Sequence, residues 1–237
     1  MIIIRICFVS LIILNKIWIC MIDIDEILIG LKEIPTATIA NALDDVGKFI
    51  NSSASIRPVN SGMRMIGRAV TVEVEVGEAG DFTSEDFRVG AMIDAAQSGD
   101  VLVVAANGAH ASIWGGMASL AATVKGIAGL VVDGSVRDVD EINACGFNVF
   151  SRYVIPTTGR TRLNVKSIGN EISVDRIIVN SGDVIIGDST GFVVVPHKQA
   201  NTVLERARRY QADDIEAAAQ LQRGISFTEV MKEFKRI

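Results

Sequence analysis

The stretch NGAHASIWGGMASLAATVKGIAGLVVDGSVRD, residues 107–138, is the most informative part of the chain. Its centre predicts an alanine-rich helix over Gly115–Lys125 that Gly126 ends, because glycine readily adopts the left-handed conformation of a helix C-cap. The apolar run Leu130–Asp133 then predicts a buried strand. A strand and a helix in such close succession are typical of an α/β fold.

A second helix is predicted directly after this strand. Gly134–Arg137 is expected to turn the chain, and Asp138 to begin a helix that ends near Ala144.

Helices and strands alternate on both sides of this stretch as well. Further helices are predicted over residues 22–46 with a break at Pro35, over 86–97 and over a charged terminal region, 199–223. Further strands are predicted over residues 69–76, 101–105, 147–150, 171–179, 184–186 and 191–195. Thr36 or Thr38 is expected to cap the second helix, which Gly47 ends. SGDV occurs at 98–101 and 181–184, which we interpret as one favoured turn used twice.

Composition excludes several classes of protein. The 237 residues include 28 acidic and 23 basic side chains, a net charge of -5, so the chain lacks the basic patch of a nucleic-acid binder. Its three cysteines, Cys7, Cys20 and Cys145, form neither a disulfide framework nor a metal-ligand spacing, which favours a cytoplasmic protein. No linker divides residues 21–237, which predicts a single domain with a C-terminal helical region.

Residues 1–20, MIIIRICFVSLIILNKIWIC, differ from the rest of the chain. Arg5 and Lys16 interrupt the apolar run, whereas a membrane-spanning helix needs about 20 apolar residues. We interpret this hydrophobic extension as lying upstream of the natural start at Met21, and expect no stable membrane association. A signal peptide or membrane anchor is the alternative.

Candidate binding groups lie at two helix N-termini. One begins at Gly115-Gly116 and the other near Asp138, and the exposed N–H groups of helix N-termini bind anions. Arg137 and Asp138 follow a buried strand, where ligands collect in α/β sheets. Arg137 offers a fork for a carboxylate, and Asp138 offers oxygen ligands for a divalent cation. The alternative is that Asp138 caps its own helix and Arg137 pairs with it.

These motifs resemble those of the RraA-like family. The similarity rests on GIAGLVVDGSVRD, on the upstream WGGM and SGDVLVV, and on PTATIANALDDVG, GRAVTVE and GDVIIGDSTGFVVVP. The family includes class II pyruvate aldolases, such as 4-hydroxy-4-methyl-2-oxoglutarate aldolase, and the protein inhibitor of ribonuclease E. The resemblance implies an α/β/β/α sandwich of the swivelling-domain type, assembled as homotrimers or homohexamers with sites at subunit boundaries.

The resemblance also implies roles for individual residues. The backbone N–H groups of Gly115, Gly116, Met117 and Ala118 would hold the carboxylate of a pyruvyl group, and Arg137 its other oxygens. Asp138 would bind a divalent cation, Mg²⁺ or Mn²⁺. Together these residues would serve a metal-dependent lyase that cleaves a small 4-hydroxy-2-oxo acid to pyruvate or decarboxylates oxaloacetate.

One departure from the aldolase motif keeps other functions open. The acidic residue expected 21 positions before Arg137 is Gly116 here. The chain is therefore alternatively a non-catalytic binding regulator of a ribonuclease, or an enzyme of the same fold with a different substrate. Asp133 either compensates for the missing carboxylate or fixes the Gly134 turn.

The sequence leaves two interpretations open for each of three further sets of residues. We call Gly115–Ala118 the glycine loop. His110 precedes it and is either an acid or base near this loop or a loop histidine without function. Trp114 either shields the pocket or packs in the core. Three acidic side chains of the terminal helix either reach a neighbouring subunit's metal or form a solvated face; they are Asp213, Asp214 and Glu216.

Overall fold

The computed structural model describes residues 23–47 and 50–234. Its helices are α1 (Ile24–Leu31), α2 (Thr36–Asp44), α3 (Val89–Ala95), α4 (Gly116–Lys125), α5 (Val139–Ala144), α6 (Ala200–Gln222) and α7 (Phe227–Phe234). Its strands are β1 (Arg57–Pro58), β2 (Met65–Val76), β3 (Val101–Ala105), β4 (Ser112–Trp114), β5 (Gly129–Val136), β6 (Val149–Val154), β7 (Leu163–Ile168), β8 (Ile172–Val174), β9 (Ile177–Val179), β10 (Val184–Asp188) and β11 (Gly191–Val195).

One sheet organises the molecule. Its order is β1-β6-β5-β3-β2-β10-β11, with β4 added to β5 and β7 added to β2. Strands β2, β3, β5 and β6 are parallel to their neighbours in this group, whereas β7, β10 and β11 pair antiparallel. Both β3 and β5 are buried along their whole length, as expected of parallel strands covered on both faces. The carboxyl end of β5 leads into the predicted site.

Two clusters of buried side chains lie on different parts of this sheet. The larger includes Trp114 and Phe150 and surrounds β3, β5 and β6. The smaller joins β10 and β11 to α1, α2 and α6 through Leu31, Leu43 and Val203. Burial of each large aliphatic or aromatic side chain contributes about 1.5–3 kcal/mol. Helices packed outside the strands confirm the predicted α/β class.

The repeated SGDV sequence forms the same turn at both places. The glycine has a positive φ each time, 85° at Gly99 and 92° at Gly182. The carboxylates of Asp100 and Asp183 each accept a hydrogen bond of 2.8 Å from the N–H three residues earlier. The two turns lead into β3 and β10, which pair with opposite edges of β2.

The predicted turn at Gly134–Arg137 is wrong. Strand β5 continues to Val136 because it pairs with β4 and β6 over its last residues. Gly134 is a packing position, since a Cβ there would lie 2.7 Å from the side chain of Ile113.

The predicted cap of the second helix is also wrong. Pro35 precedes α2, and no side chain caps the helix from that position. Thr36 is instead the first helical residue, and its N–H and hydroxyl both donate to Asp188, at 2.8 Å each.

Other boundaries shift for similar reasons. The predicted helix over 86–97 shortens to α3, and the strand over 147–150 becomes β6. The single strand expected over 171–179 is two, β8 and β9, because Asp175 and Arg176 turn the chain with φ of 46° and 70°. The strands β1, β4 and β7 and the helix α7 were not predicted.

The interpretation of residues 1–20 lies outside the described residues. Within residues 23–47 and 50–234, no helix is both long and apolar enough to cross a membrane. Cys145 carries a free thiol, and the other two cysteines precede the described part of the chain.

Candidate active site

A cavity of about 340 Å³ opens where β5 ends and α4 begins. Arg137 and Asp138 line it together with Gly115, Met117 and Ala118. The structure therefore brings together four of the five predicted substrate-binding residues and the predicted metal ligand. The fifth, Gly116, is buried beside the cavity without lining it.

The chain leaves β5 through Arg137 and takes an unusual conformation at Asp138. The Arg137 N–H donates to the carbonyl of Trp114, which ties the end of β5 to β4. Asp138 then adopts a left-handed φ of 57°, which asparagine and aspartate tolerate better than most residues. This conformation directs the Asp138 carboxylate away from its own helix, where it makes no capping hydrogen bond.

The Asp138 carboxylate instead meets the start of α4. Its Oδ2 accepts a hydrogen bond from the Gly116 N–H at 3.1 Å and lies 3.4 Å from Nε of Arg137. Both side chains remain well exposed, 43% for Arg137 and 38% for Asp138, so a small acid can reach them. The expected pairing of the two is thus present, but Asp138 caps α4 and not α5.

Backbone amides at the start of α4 face this pair. The first hydrogen bond of the helix joins the Ser119 N–H to the Gly115 carbonyl, so the three preceding N–H groups have no partner within the helix. Asp138 takes the Gly116 N–H, which leaves those of Met117 and Ala118. A Cβ at Gly115 would lie 2.5 Å from Asp138 Oδ2, so the close approach requires glycine there.

Glu141 stands where the side chain of residue 116 would project. A Cβ built on Gly116 would lie 2.6 Å from Glu141 Cβ and 3.2 Å from its Cγ. The two positions therefore compete for one space, and α5 fills it with the side chain of the exposed Glu141. The sequence contained the signal, a glutamate one turn after Asp138, but only the packing of α5 on α4 reveals its meaning.

Trp114 and Ser119 hold the glycine loop in place. The indole N–H of Trp114 donates to the Ser119 hydroxyl at 2.8 Å, and that hydroxyl donates to the Gly115 carbonyl at 3.0 Å. Trp114 is 2% exposed yet lines the cavity, so both interpretations of this residue apply.

Other predicted candidates lie elsewhere. Asp133 is buried in β5, where it pairs with Arg152 at 2.6 Å and accepts the Asp175 N–H, so its expected role in a Gly134 turn is wrong. His110 stacks on Tyr153 with 4.8 Å between ring centroids and does not line the cavity.

The acidic residues of α6 have contacts within the chain. Asp214 accepts a hydrogen bond from Thr38 at 3.5 Å, and Glu216 pairs with Arg223 at 3.2 Å. Their expected reach towards a neighbouring subunit stays a prediction.

The donor set suits a cation that keeps most of its water. Among the described residues, no three His, Cys, Asp or Glu side chains are placed to share one ion. Asp138 contacts the Gly116 N–H and Arg137 through Oδ2, which leaves Oδ1 as a ligand. Mg²⁺ commonly binds through one or two carboxylates plus waters, so Asp138 with Glu141 nearby fits this cation.

Comparison with known proteins gives the family. The family model described as RraA-like, Aldolase/RraA, matches residues 36–194. The chain belongs to the RraA-like family. This membership confirms the resemblance seen in the sequence motifs.

Relatives of this RraA-like chain have different names. A protein of Halalkalibacterium halodurans, provisionally named a 4-hydroxy-4-methyl-2-oxoglutarate aldolase, is 33% identical over 184 residues, which cover 77% of this chain and 82% of the relative. An uncharacterized protein of Pseudomonas syringae superposes with a TM-score of 0.78 at 26% identity and covers 87% of this chain and 96% of its own. Streptomyces coelicolor RraAS2, described as an unusual member of the RNase ES inhibitor RraA protein family, gives 0.70 at 25%, over 84% and 96%.

Proposed function

We propose that this RraA-like protein is a divalent-metal-dependent lyase that cleaves a small 4-hydroxy-2-oxo acid to pyruvate and an aldehyde or ketone. The observation that carries the proposal is the shared cavity of Arg137, Asp138 and the first turn of α4. Relatives named as aldolases support the reaction class. Decarboxylation of oxaloacetate passes through the same pyruvate enolate, so the same site would serve it.

Different cavity residues would bind the carboxylate and the carbonyl oxygen of the pyruvyl group. The N–H groups of Met117 and Ala118, at the positive end of the α4 dipole, would hold the carboxylate. The guanidinium of Arg137 would hold the carbonyl oxygen at C2. When the C3–C4 bond breaks, its electron pair moves to this oxygen as an enolate, and Arg137 stabilises the charge as it develops.

Asp138 is the proposed metal ligand. A bound Mg²⁺ or Mn²⁺ would supply Lewis acidity that polarises the C2 carbonyl. The Gly116 N–H and Arg137 hold the Asp138 carboxylate in place, so its orientation does not depend on the cation.

Glu141 is the proposed proton acceptor. Retro-aldol cleavage requires a base that removes the proton of the C4 hydroxyl as the C3–C4 bond breaks, and C3 is later protonated to give pyruvate. The Cβ and Cγ of Glu141 lie where the side chain of residue 116 would begin, beside the cavity residues Gly115 and Asp138, although Glu141 does not itself line the cavity. The substitution at residue 116 would therefore move the carboxylate to α5 and retain the chemistry.

The proposal also covers the oligomeric state of the protein and its location in the cell. We infer a homotrimer or homohexamer, because Met117 is 80% exposed at the rim of the cavity and a neighbouring subunit would cover it. A cytoplasmic location agrees with the free thiol of Cys145.

Pyruvate release tests the function directly. Purified protein with Mg²⁺ or Mn²⁺ is expected to release pyruvate from 4-hydroxy-2-oxo acids or oxaloacetate. Asp138→Asn should lower this release by at least about a hundredfold, since it removes the charged ligand. Asp140→Asn, the same change on the exposed face of α5, is the matched control and should retain activity. Release that Asp138→Asn leaves unchanged would overturn the proposal.

A second candidate function is a binding regulator of a ribonuclease. The similarity to Streptomyces coelicolor RraAS2 favours it. Capture of ribonuclease E by the purified protein, together with no pyruvate release, would establish this function in place of the lyase.

A further inference from the structure

We propose that Ser119 is a positioning residue for the candidate active site, and that its hydroxyl sets the orientation of the Asp138 carboxylate. The two side chains are linked by one peptide unit of the glycine loop, the unit that joins Gly115 to Gly116. The geometry rests on contacts within the chain, and the expected effect on catalysis rests on the proposed function.

This peptide unit is hydrogen-bonded at both of its ends. Its carbonyl, that of Gly115, accepts a hydrogen bond of 3.0 Å from the Ser119 hydroxyl. Its N–H, that of Gly116, donates to Asp138 Oδ2 at 3.1 Å. Because a trans peptide unit is planar, its C=O and N–H groups point in opposite directions. A bond that fixes the carbonyl therefore also fixes the direction in which the N–H meets Asp138.

The two glycines make the orientation of this peptide unit depend on its hydrogen bonds. Neither Gly115 nor Gly116 has a Cβ, so the peptide unit between them can rotate with less steric hindrance than one between other residues. The Gly115 carbonyl accepts a second bond of 3.0 Å from the Ser119 N–H, so one residue supplies both. Donation to the carbonyl also strengthens the N–H as a donor, because hydrogen-bonded groups in a chain polarise one another.

The indole of Trp114 determines where the Ser119 hydroxyl points. Its Nε1–H donates to Ser119 Oγ at 2.8 Å, which leaves the hydroxyl proton for the Gly115 carbonyl. The indole is itself held by Phe147, on which it stacks with 5.9 Å between ring centroids. The hydroxyl therefore has a fixed direction and not a choice of partners.

Burial makes this arrangement independent of any other subunit. Ser119 is 0% exposed and Trp114 is 2% exposed, so a neighbouring copy of the chain cannot reach the hydroxyl or replace its bonds. The residue acts from inside the subunit on a carboxylate that lines the cavity.

Thr123 provides a matched control on the same helix. Its hydroxyl donates to the Ser119 carbonyl at 2.9 Å, which is the same kind of bond one turn later in α4. Thr123→Ala therefore removes a hydroxyl-to-carbonyl bond that does not involve the Gly115–Gly116 peptide unit. Thr123 is exposed and does not line the cavity.

The Gly116 amide reports the link in the absence of metal and substrate. The proton chemical shift of an amide that donates to a carboxylate changes when acid neutralises the carboxylate, because hydrogen bonds to charged acceptors are stronger. Nuclear magnetic resonance of the unmodified protein should show this change at Gly116, and Asp138→Asn should abolish it. Ser119→Ala should reduce its size, whereas Thr123→Ala should not. An undiminished change in Ser119→Ala would overturn the proposal.

Kinetics test the consequence for the reaction. Ser119→Ala should lower kcat for a cleaved 4-hydroxy-2-oxo acid by about tenfold, as is usual when a partner that orients a metal ligand is lost. The KM should change less than about twofold, because the Met117 and Ala118 amides would still hold the carboxylate. Ser119→Thr should restore kcat, since a threonine hydroxyl in a helix can make the same bond. A hydroxyl that only pairs with the indole would change stability and leave kcat unaltered, which would overturn the proposal.

The two measurements separate this proposal from the proposed function. If no 4-hydroxy-2-oxo acid is cleaved but the Gly116 shift depends on Ser119, the lyase fails and the positioning role stands. If pyruvate is released and Ser119→Ala leaves either kcat or the Gly116 shift unchanged, the lyase stands and the positioning role fails. Should Ser119→Ala fail to fold by circular dichroism, Trp114→Phe removes the indole donor instead, and both effects are expected in the same direction.

Discussion

Asp138 combines a proposed ligand role with a left-handed backbone conformation. Its φ of 57° aims the carboxylate at α4, and residues other than glycine, asparagine and aspartate adopt this region at a cost of about 1–2 kcal/mol. Variants can therefore test two properties of residue 138 separately: its carboxylate and its left-handed backbone conformation.

Two substitutions at Asp138 are expected to differ in stability. Asp138→Asn retains tolerance of the left-handed conformation, whereas Asp138→Ala should lower the free energy of unfolding by a further ~1 kcal/mol. Urea denaturation of both variants measures the difference. Equal free energies of unfolding would show that the left-handed conformation imposes no preference for asparagine over alanine at residue 138.

The competition between Gly116 and Glu141 gives a second prediction at this scale. Gly116→Asp should destabilise the protein by about 1–3 kcal/mol, because its Cβ would meet that of Glu141 at 2.6 Å. Glu141→Ala alone should lose most of the pyruvate-forming activity. The double variant Gly116→Asp/Glu141→Ala should recover both stability and activity. A double variant no better than either single one would contradict the idea that positions 116 and 141 can exchange the carboxylate.

At the scale of elements, Asp188 joins two parts of the fold. It is the last residue of β10, and its carboxylate accepts hydrogen bonds from the first residue of α2 and from Thr190 in the β10–β11 turn. Burial alone would raise the pKa of Asp188, but the hydrogen bonds from Thr36 and Thr190 outweigh it and hold this pKa below its ordinary value.

Acid should therefore weaken this junction. A carboxyl with a lowered folded-state pKa stabilises fully above its unfolded pKa of about 3.9, and this stability is lost as pH falls through the lower folded value. Asp188→Asn should lower the free energy of unfolding by ~1–2 kcal/mol at pH 6. The deficit relative to the unmodified protein should shrink between pH 4 and pH 2; a deficit that is constant over this range would contradict the assignment.

Elements with local signals were predicted well. Strand β3 matches its apolar run, and Gly126 ends α4 with a φ of 82° as its position indicated. Gly134 misled because the same residue type serves turns and close packing, and only its contact with Ile113 distinguishes them. The short strands β4 and β7 depend on pairing with β5 and β2, which no local pattern encodes.

The residues of the candidate site were likewise predicted only in part. Arg137, Asp138 and the glycine loop each lie where a strand meets the start of a helix, and the resemblance to the family predicted them together. Glu141 was missed, because its proposed role depends on how α5 packs against α4.

At the scale of the whole molecule, α4 leaves an apolar stripe beside the cavity. Met117, Leu120 and Val124 lie on one face of the helix and are exposed by 80%, 49% and 82%. An exposed apolar face of this kind commonly marks an interface between proteins. It agrees with the proposed homotrimer or homohexamer.

Val124→Asp is expected to disrupt that assembly. A charge on the stripe would be buried in the interface without a partner, so light scattering should give the mass of a smaller species. Ile29→Asp, an equivalent change on the exposed face of α1, should leave the mass unchanged. An unmodified protein that is already monomeric would contradict the proposed assembly.

A crystal structure with Mn²⁺ and pyruvate tests the central claim most directly. The account predicts an anomalous manganese peak within ligand distance of Asp138, with the pyruvate carboxylate at the Met117 and Ala118 amides and its carbonyl oxygen against Arg137. Manganese bound elsewhere, or pyruvate absent from the cavity at saturating concentration, would contradict it.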